Sequence, residues 1–268
     1  MKKQTNYSKE HLLYLKSVKK KSVLVNIVRF AVLLGLLVIW ELSATLGWVN
    51  PFITSSPSRI CKTIVDMHKN GSLMMHVGTT LWETLAGFAI AVIVGYTVAL
   101  LLWWSEFLRK VLEPYIVVLN SLPKIALGPI IIVWFGAGTK SIIFMAIIIT
   151  IIVTIITMQN GFLATEKSKI LLMNSLGASK MQTLIKLVIP ASIPTFVSCL
   201  KINVGMAWIG SIMGEYLVSK QGIGYLIVYG GQVFRLDLVM ASTVILCTLA
   251  GVMYALVVML EKRITKKR

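Results

Sequence analysis

Long apolar stretches, parted by short polar ones, run along most of this chain. Stretches of about 20 apolar residues, the length a helix needs to cross a bilayer, fall at 30–49, 81–104, 111–135, 142–158, 191–214 and 238–260. The spacing predicts an all-α, polytopic membrane protein with about six transmembrane helices. The third stretch carries three prolines. Pro114 stands near its expected start, but Pro123 and Pro129 each remove a backbone donor in mid-membrane, freeing carbonyls that need neighbouring helices, side chains or water. Irregular backbone at that depth is tolerated where it is packed in protein or lines a cavity. Asn120, Ser121, Pro123, Lys124 and Gly128 surround the break and are the candidate wall of a translocation path. Lys124 strengthens that reading, because an ionisable group within a span is costly unless it meets water or a partner. The alternative is a cation that snorkels to one interface.

The polar connections hold one unusual segment, 171–190. Met173, Gly177, Met181, Leu184 and Val188 recur at helical spacing, with Ser175, Ser179, Gln182 and Lys186 between them, so one face is apolar and the other wet. Gly177 is suited to end a helix, since it takes the left-handed conformation readily. Ser179 and Gln182 have capping-box spacing for a second short helix, which is expected to run until Pro190 opens a span. Two short helices at an angle make a knob that something outside the bilayer grips. Leu176, Ala178, Lys180 and Ile189 complete it. Elsewhere, turn signals at Pro51, 55–58 and 70–72 surround a short helical stretch at 59–69. Gly222, Gly224, Gly230 and Gly231 flank an apolar run that reads as a re-entrant or interfacial element.

Small residues form stripes inside the spans. Gly87, Ala91, Gly95 and Ala99 lie four apart, and Gly210 and Gly214 repeat the spacing, which lets another helix approach closely. That helix belongs either to the same chain or to a second subunit. Glu41 and Glu215 near outer span ends, and Glu83 near the start of a span, are accounted for by interfacial solvation as well as by function. Lys201 lies deeper and could pair with one of these carboxylates.

Composition leads to the membrane independently, with 57% hydrophobic residues and a mean hydropathy of +0.83. The net charge of +17 would suit nucleic acid only if it formed a face. Instead, with both termini placed in the cytoplasm, 19 Lys and Arg fall on that side and 6 on the other. This is the positive-inside asymmetry, so the charge reads as topology and attraction to anionic lipid rather than as nucleic-acid binding. The expected organisation is a basic cytoplasmic tail at 1–29, a membrane domain at 30–262 and a basic cytoplasmic tail at 263–268. The N-terminal stretch is too long and polar for the first part of a cleavable signal peptide. Cys61, Cys199 and Cys247 are too scattered for a disulfide framework or metal site.

No metal-binding or nucleotide-binding motif is present. Residues 136–141 only echo a phosphate loop, because Thr139 separates Gly138 from Lys140. The chain is therefore expected to carry no catalytic residue, metal or cofactor. An ion-coupled secondary transporter or channel is the alternative class, but inverted repeats and acidic residues deep in spans, its usual marks, are not evident.

The 171–190 segment resembles the cytoplasmic loop of bacterial ABC-transporter permeases, whose pattern is Glu-Ala-Ala, three residues, Gly, nine residues, then Ile-x-Leu-Pro. Gly177, Leu187, Ile189 and Pro190 stand at matching places, and Gly177-Ala178-Ser179-Lys180 is the usual Gly-Ala-Ser-basic run. Leu171, Leu172 and Met173 replace Glu-Ala-Ala, so the contact of that Glu is absent or supplied by Glu166. Pro123-Lys124-Ile125-Ala126-Leu127-Gly128-Pro129, Trp134-Phe135-Gly136 and Gly205-Met206-Ala207-Trp208-Ile209 are similar to the nitrate, sulfonate and taurine subfamily. The resemblance implies a non-catalytic permease subunit of the bacterial inner membrane. It implies a second permease subunit in a homodimer, two ABC ATPase subunits that grip the knob, an extracytoplasmic solute-binding protein, and a small, sulfonate-like anionic solute.

Overall fold

The computed structural model describes residues 9–265, and every regular element among them is helical. The N-terminal unit runs up to Lys62. Its α1 (Lys9–Thr45) runs unbroken through the basic stretch and the first apolar one, because Lys and Arg are good helix formers and no proline intervenes. Its Ser17–Thr45 part is long and apolar enough to cross a membrane. A single turn, α2 (Pro51–Thr54), comes next. Glu41 has a specific task in this unit. Its carboxylate accepts from the Ser58 amide at 2.9 Å and the Ser58 hydroxyl at 2.7 Å, capping the first turn of α3 (Pro57–Lys69). The expected tail at 263–268 is described only to Thr265, where the last helix ends.

The second unit is built on α4 (Ser72–Trp104), α7 (Thr139–Leu163) and α10 (Ile189–Val218), with α7 packed along both of the others. Small residues make the approach possible. A Cβ on Gly87 would lie 2.5 Å from the Cβ of Ala146, one on Gly95 2.7 Å from the Cβ of Thr154, and one on Gly214 2.9 Å from the Cα of Ile142. Asn203 adds a polar tie, donating from Nδ2 to the Thr154 hydroxyl at 2.8 Å. Beyond this layer, α11 (Ile223–Gln232) is the short apolar element expected between the glycines, and α12 (Leu236–Thr265) packs Met253 and Val257 against Val204 and Trp208 of α10.

The third apolar stretch is a broken pair. α5 (Glu106–Ser121) and α6 (Gly128–Phe135) meet at 88°, joined by a 3-10 turn at Lys124–Leu127. Pro123 forces the break, since the residue before a proline is driven out of helical conformation, and Leu122 is extended at ψ 139. Two expectations about prolines are corrected. Pro129 lies in the first turn of α6, where its missing N–H frees no carbonyl. Pro114 lies inside α5 rather than near its start, because Ser105 caps the helix at Leu108 and begins it earlier.

Contacts at the two ends of α4 show where the broken pair leads. α5 leaves from the Trp104 end, whereas Thr139, just after α6, reaches Glu83. At 1.5 Å per residue, Glu83 and Trp104 are about 30 Å apart along α4. The bent pair therefore travels the thickness of a membrane and counts as one crossing, making six with α1.

Candidate functional site

The knob is built by local hydrogen bonding. α8 (Lys167–Ser175) ends in a Schellman motif, with the Ala178 amide bonded to the Met173 carbonyl and the Gly177 amide to the Asn174 carbonyl, both at 2.9 Å. Gly177 takes φ +73°, the left-handed conformation this ending requires. The chain then restarts at α9 (Lys180–Thr183) through a reciprocal capping box: the Gln182 amide donates to the Ser179 hydroxyl at 3.2 Å, and the Ser179 amide donates to Gln182 Oε1 at 2.8 Å.

Beyond the capping box the chain departs from expectation, because no separate second helix ends at Pro190. Residues Lys180–Val218 form one continuous helical run, with a π-turn at Leu184–Val188 between α9 and α10. A proline lacks the N–H that a regular helical ladder would use, and the wider turn, in which the Ile189 amide reaches the Leu184 carbonyl, accommodates it within the first turn of α10.

The apolar face is also divided differently. Leu184 and Val188 are buried with Phe162, Met158 and Cys199, and Met173 is half-buried, but Met181 is exposed. Leu171, Leu172 and Leu176 project at 65%, 60% and 74% exposure. Glu166, the carboxylate nearest these positions in sequence, pairs locally with Lys169 at 2.8 Å. Lys180, placed in the knob by the sequence, has an anchoring contact there that the sequence did not show. Its ammonium donates to the Trp104 carbonyl at 2.5 Å and lies 5.2 Å from the centre of the Trp104 ring. It thus meets both the negative end of α4 and an aromatic face, fixing the knob to the end of a span.

Around the break, Asn120, Ser121 and Pro123 are exposed and Lys124 is half-buried. The Lys124 ammonium donates to the Asn120 carbonyl at 3.1 Å, closing over the end of α5. Its stem lines an apolar cavity of about 230 Å³ with Leu119, Leu122, Ile148 and Ile152. Gly128 does not share this surface: it is buried against Leu217 of α10, whose terminal methyl would have to move to admit a side chain there. Both small-residue stripes face α7 of the same chain, with Ala91 and Ala99 fully buried and Gly210 pressed on the backbone of Ala146. Lys201 pairs with Glu261 of α12 at 2.6 Å, not with Glu41, Glu83 or Glu215. Glu83 and Glu215 are 1% exposed, which excludes interfacial solvation for both.

Comparison with known proteins agrees with this architecture. Residues 87–266 match the family described as binding-protein-dependent transport system inner membrane component. The formylaminopyrimidine transport permease protein ThiX of Halalkalibacterium halodurans is 31% identical over 72% of this chain and 76% of its own length. The taurine transport system permease protein TauC of Escherichia coli is 24% identical over 86% of each chain. An inward-facing structure of the MetNI methionine ABC transporter shares the fold, with a TM-score of 0.62 and 19% identity over 69% of this chain and 92% of that one. A glycine-ended knob outside the spans, helices apolar enough to make six crossings, and a family match over most of the chain converge: the protein belongs to the binding-protein-dependent transport family, as an inner-membrane permease of ABC importers.

Proposed function

We propose that two copies of this chain enclose a path for a small solute, that each couples through the knob to a separate ABC ATPase subunit, and that an extracytoplasmic solute-binding protein delivers the solute. Leu171, Leu172 and Leu176 carry the coupling assignment. Three neighbouring leucines on a polar connection outside the spans expose apolar surface that a protein partner would cover. Lys167 and Lys169 open the same short helix, α8, and are exposed on it. Both termini lie on the knob's side, a placement supported by six crossings and by the 19 to 6 distribution of basic residues.

The solute is an organosulfonate or a similarly small anionic or zwitterionic molecule, passing Asn120, Ser121, Pro123 and Lys124. The exposed polar break and the similarity to a taurine permease support this reading. A second reading, a formylaminopyrimidine-like solute, rests on the higher identity to ThiX, 31% against 24%. The test is uptake into proteoliposomes holding the chain with its ATPase and binding protein, challenged separately with taurine and formylaminopyrimidine. Competition by taurine, with uptake reduced in Lys124→Gln, is expected. Competition by the pyrimidine alone selects the second reading, and transport by the chain without an ATPase overturns both.

A further inference from the structure

Glu83 of α4 and Glu215 of α10 are buried together, with their carboxyl groups within hydrogen-bonding reach. They stand at the start of α11, where three successive amides donate to side chains. The Gly222 amide donates to His76 Nδ1 at 3.0 Å, the Ile223 amide to the Thr80 hydroxyl at 2.8 Å, and the Gly224 amide to Glu215 Oε2 at 2.6 Å. The approach is so close that a Cβ on Gly224 would lie 2.8 Å from that carboxyl oxygen. The remaining oxygens, Glu83 Oε2 and Glu215 Oε1, have no partner. One helical turn deeper, Thr84 on the face of Thr80 and Ser211 on the face of Glu215 are fully buried with unpartnered hydroxyls.

The charges around the pair do not balance. Neither carboxyl group forms an ion pair among the described residues. Lys140 at the start of α7 and Lys220 before α11 are exposed. His76 accepts a bond at Nδ1, which a doubly protonated ring cannot do. Tyr216 of α10 and Tyr225 of α11 are the other titratable neighbours, and neither brings a positive charge. Two ionised carboxylates about 4 Å apart repel by about 4 kcal/mol even at an effective dielectric constant near 20. The amides that open α11 can stabilise one negative charge.

We propose that Glu83 and Glu215 form a proton-binding site that holds one proton between the two carboxyl groups and thereby joins α4, α10 and α11. One carboxyl donates to the other, the pair keeps a single negative charge, and the start of α11 stabilises it. Loss of the proton puts two like charges in contact and loosens α11 from α4. Deprotonation therefore weakens the joint between α4, α10 and α11, and the folded chain is expected to lose stability toward alkaline pH.

The test uses the full chain in nanodiscs. Melting is followed from mildly acidic to alkaline pH in sodium and in choline buffers, alongside infrared spectra in H₂O and D₂O. Wild type is expected to lose stability toward alkaline pH equally in both buffers, and to show a protonated-carboxyl band that shifts in D₂O and bleaches as pH rises. Glu83→Gln keeps a donor for Glu215 without the second charge, so it should fold, lack the band and melt with a flatter pH profile. Identical profiles for the two proteins overturn the proposal. Alkaline stability restored by sodium but not choline overturns it in favour of a metal cation on the four oxygens. If Glu83→Gln fails to insert, the wild-type spectrum decides, and a missing protonated-carboxyl band refutes the site.

Discussion

Gly87 and Gly210 press on Ala146 of α7 from α4 and α10, and the same substitution at each should have different consequences. An added methyl on Gly87 would meet the Cβ of Ala146 at 2.5 Å, whereas one on Gly210 would meet its Cα at 2.5 Å, its amide nitrogen at 3.0 Å and the Met145 carbonyl at 3.1 Å. Both distances demand movement, and overpacking of this kind costs about 1–3 kcal/mol. The nearest obstacle differs: for Gly87 it is a side chain that can be deleted, with the Ile143 carbonyl behind it at 3.3 Å, and for Gly210 it is backbone. Ala146→Gly alone should cost about 1 kcal/mol, through helix propensity and the lost methyl. Combined with Gly87→Ala it moves one methyl from one helix to its neighbour, so the double variant should recover to within about 1 kcal/mol of wild type, a coupling of about 1–2 kcal/mol. Combined with Gly210→Ala it should recover much less. Reversible unfolding of the purified chain in mixed micelles reads all five variants. Equal rescue of both glycine variants, or no loss in either, would refute the claim that α7 is clasped by direct backbone approach.

Three further outcomes concern the knob. Gly177→Asn should be tolerated while Gly177→Val, strained by about 1–2 kcal/mol at φ +73°, should speed amide exchange at Gly177 and Ala178 by about tenfold; equal exchange in the two variants would show that the left-handed turn does not hold the loop. Leu171→Asp together with Leu172→Asp should leave insertion intact and abolish co-purification with the ATPase subunit, and retained association would place docking elsewhere. Lys180→Met should cost about 1 kcal/mol or less through its lost contacts with Trp104 and raise mobility of a spin label at Ser175; an unchanged spectrum would mean that Lys180 does not anchor the knob.

The chain's pattern makes its helices legible because the hydrocarbon requirement is linear: about 20 apolar residues are needed wherever a span occurs. The knob is legible for a related reason, since its Schellman turn at Gly177 and its capping box at Ser179 are completed within a few residues. Legibility fails where a residue's task depends on which side of a helix it occupies. Averaged along the chain, the apolar signal of α4 begins only at 81, because His76, Thr79 and Thr80 dilute it. In the folded chain His76 and Thr80 turn inward to hold α11, while Trp82 and Ile93 face outward at 65% and 66% exposure. A span surrounded by lipid gains little from hiding its apolar residues, and its polar ones must find partners inside. The weak end of the helix in the sequence is therefore one of its most connected parts in the fold. The same inversion hides the partners of the charges. Glu83 and Glu215 are 132 positions apart and Lys201 and Glu261 are 60 apart, and no periodicity links either pair. What brings Glu83 to Glu215 is α7, whose closeness to both α4 and α10 depends on Gly87, Gly95, Gly210 and Gly214. Small-residue stripes that look like simple packing signals thus determine which buried polar groups meet, and an added methyl on a stripe would disturb the carboxyl pair as well as the helix contact.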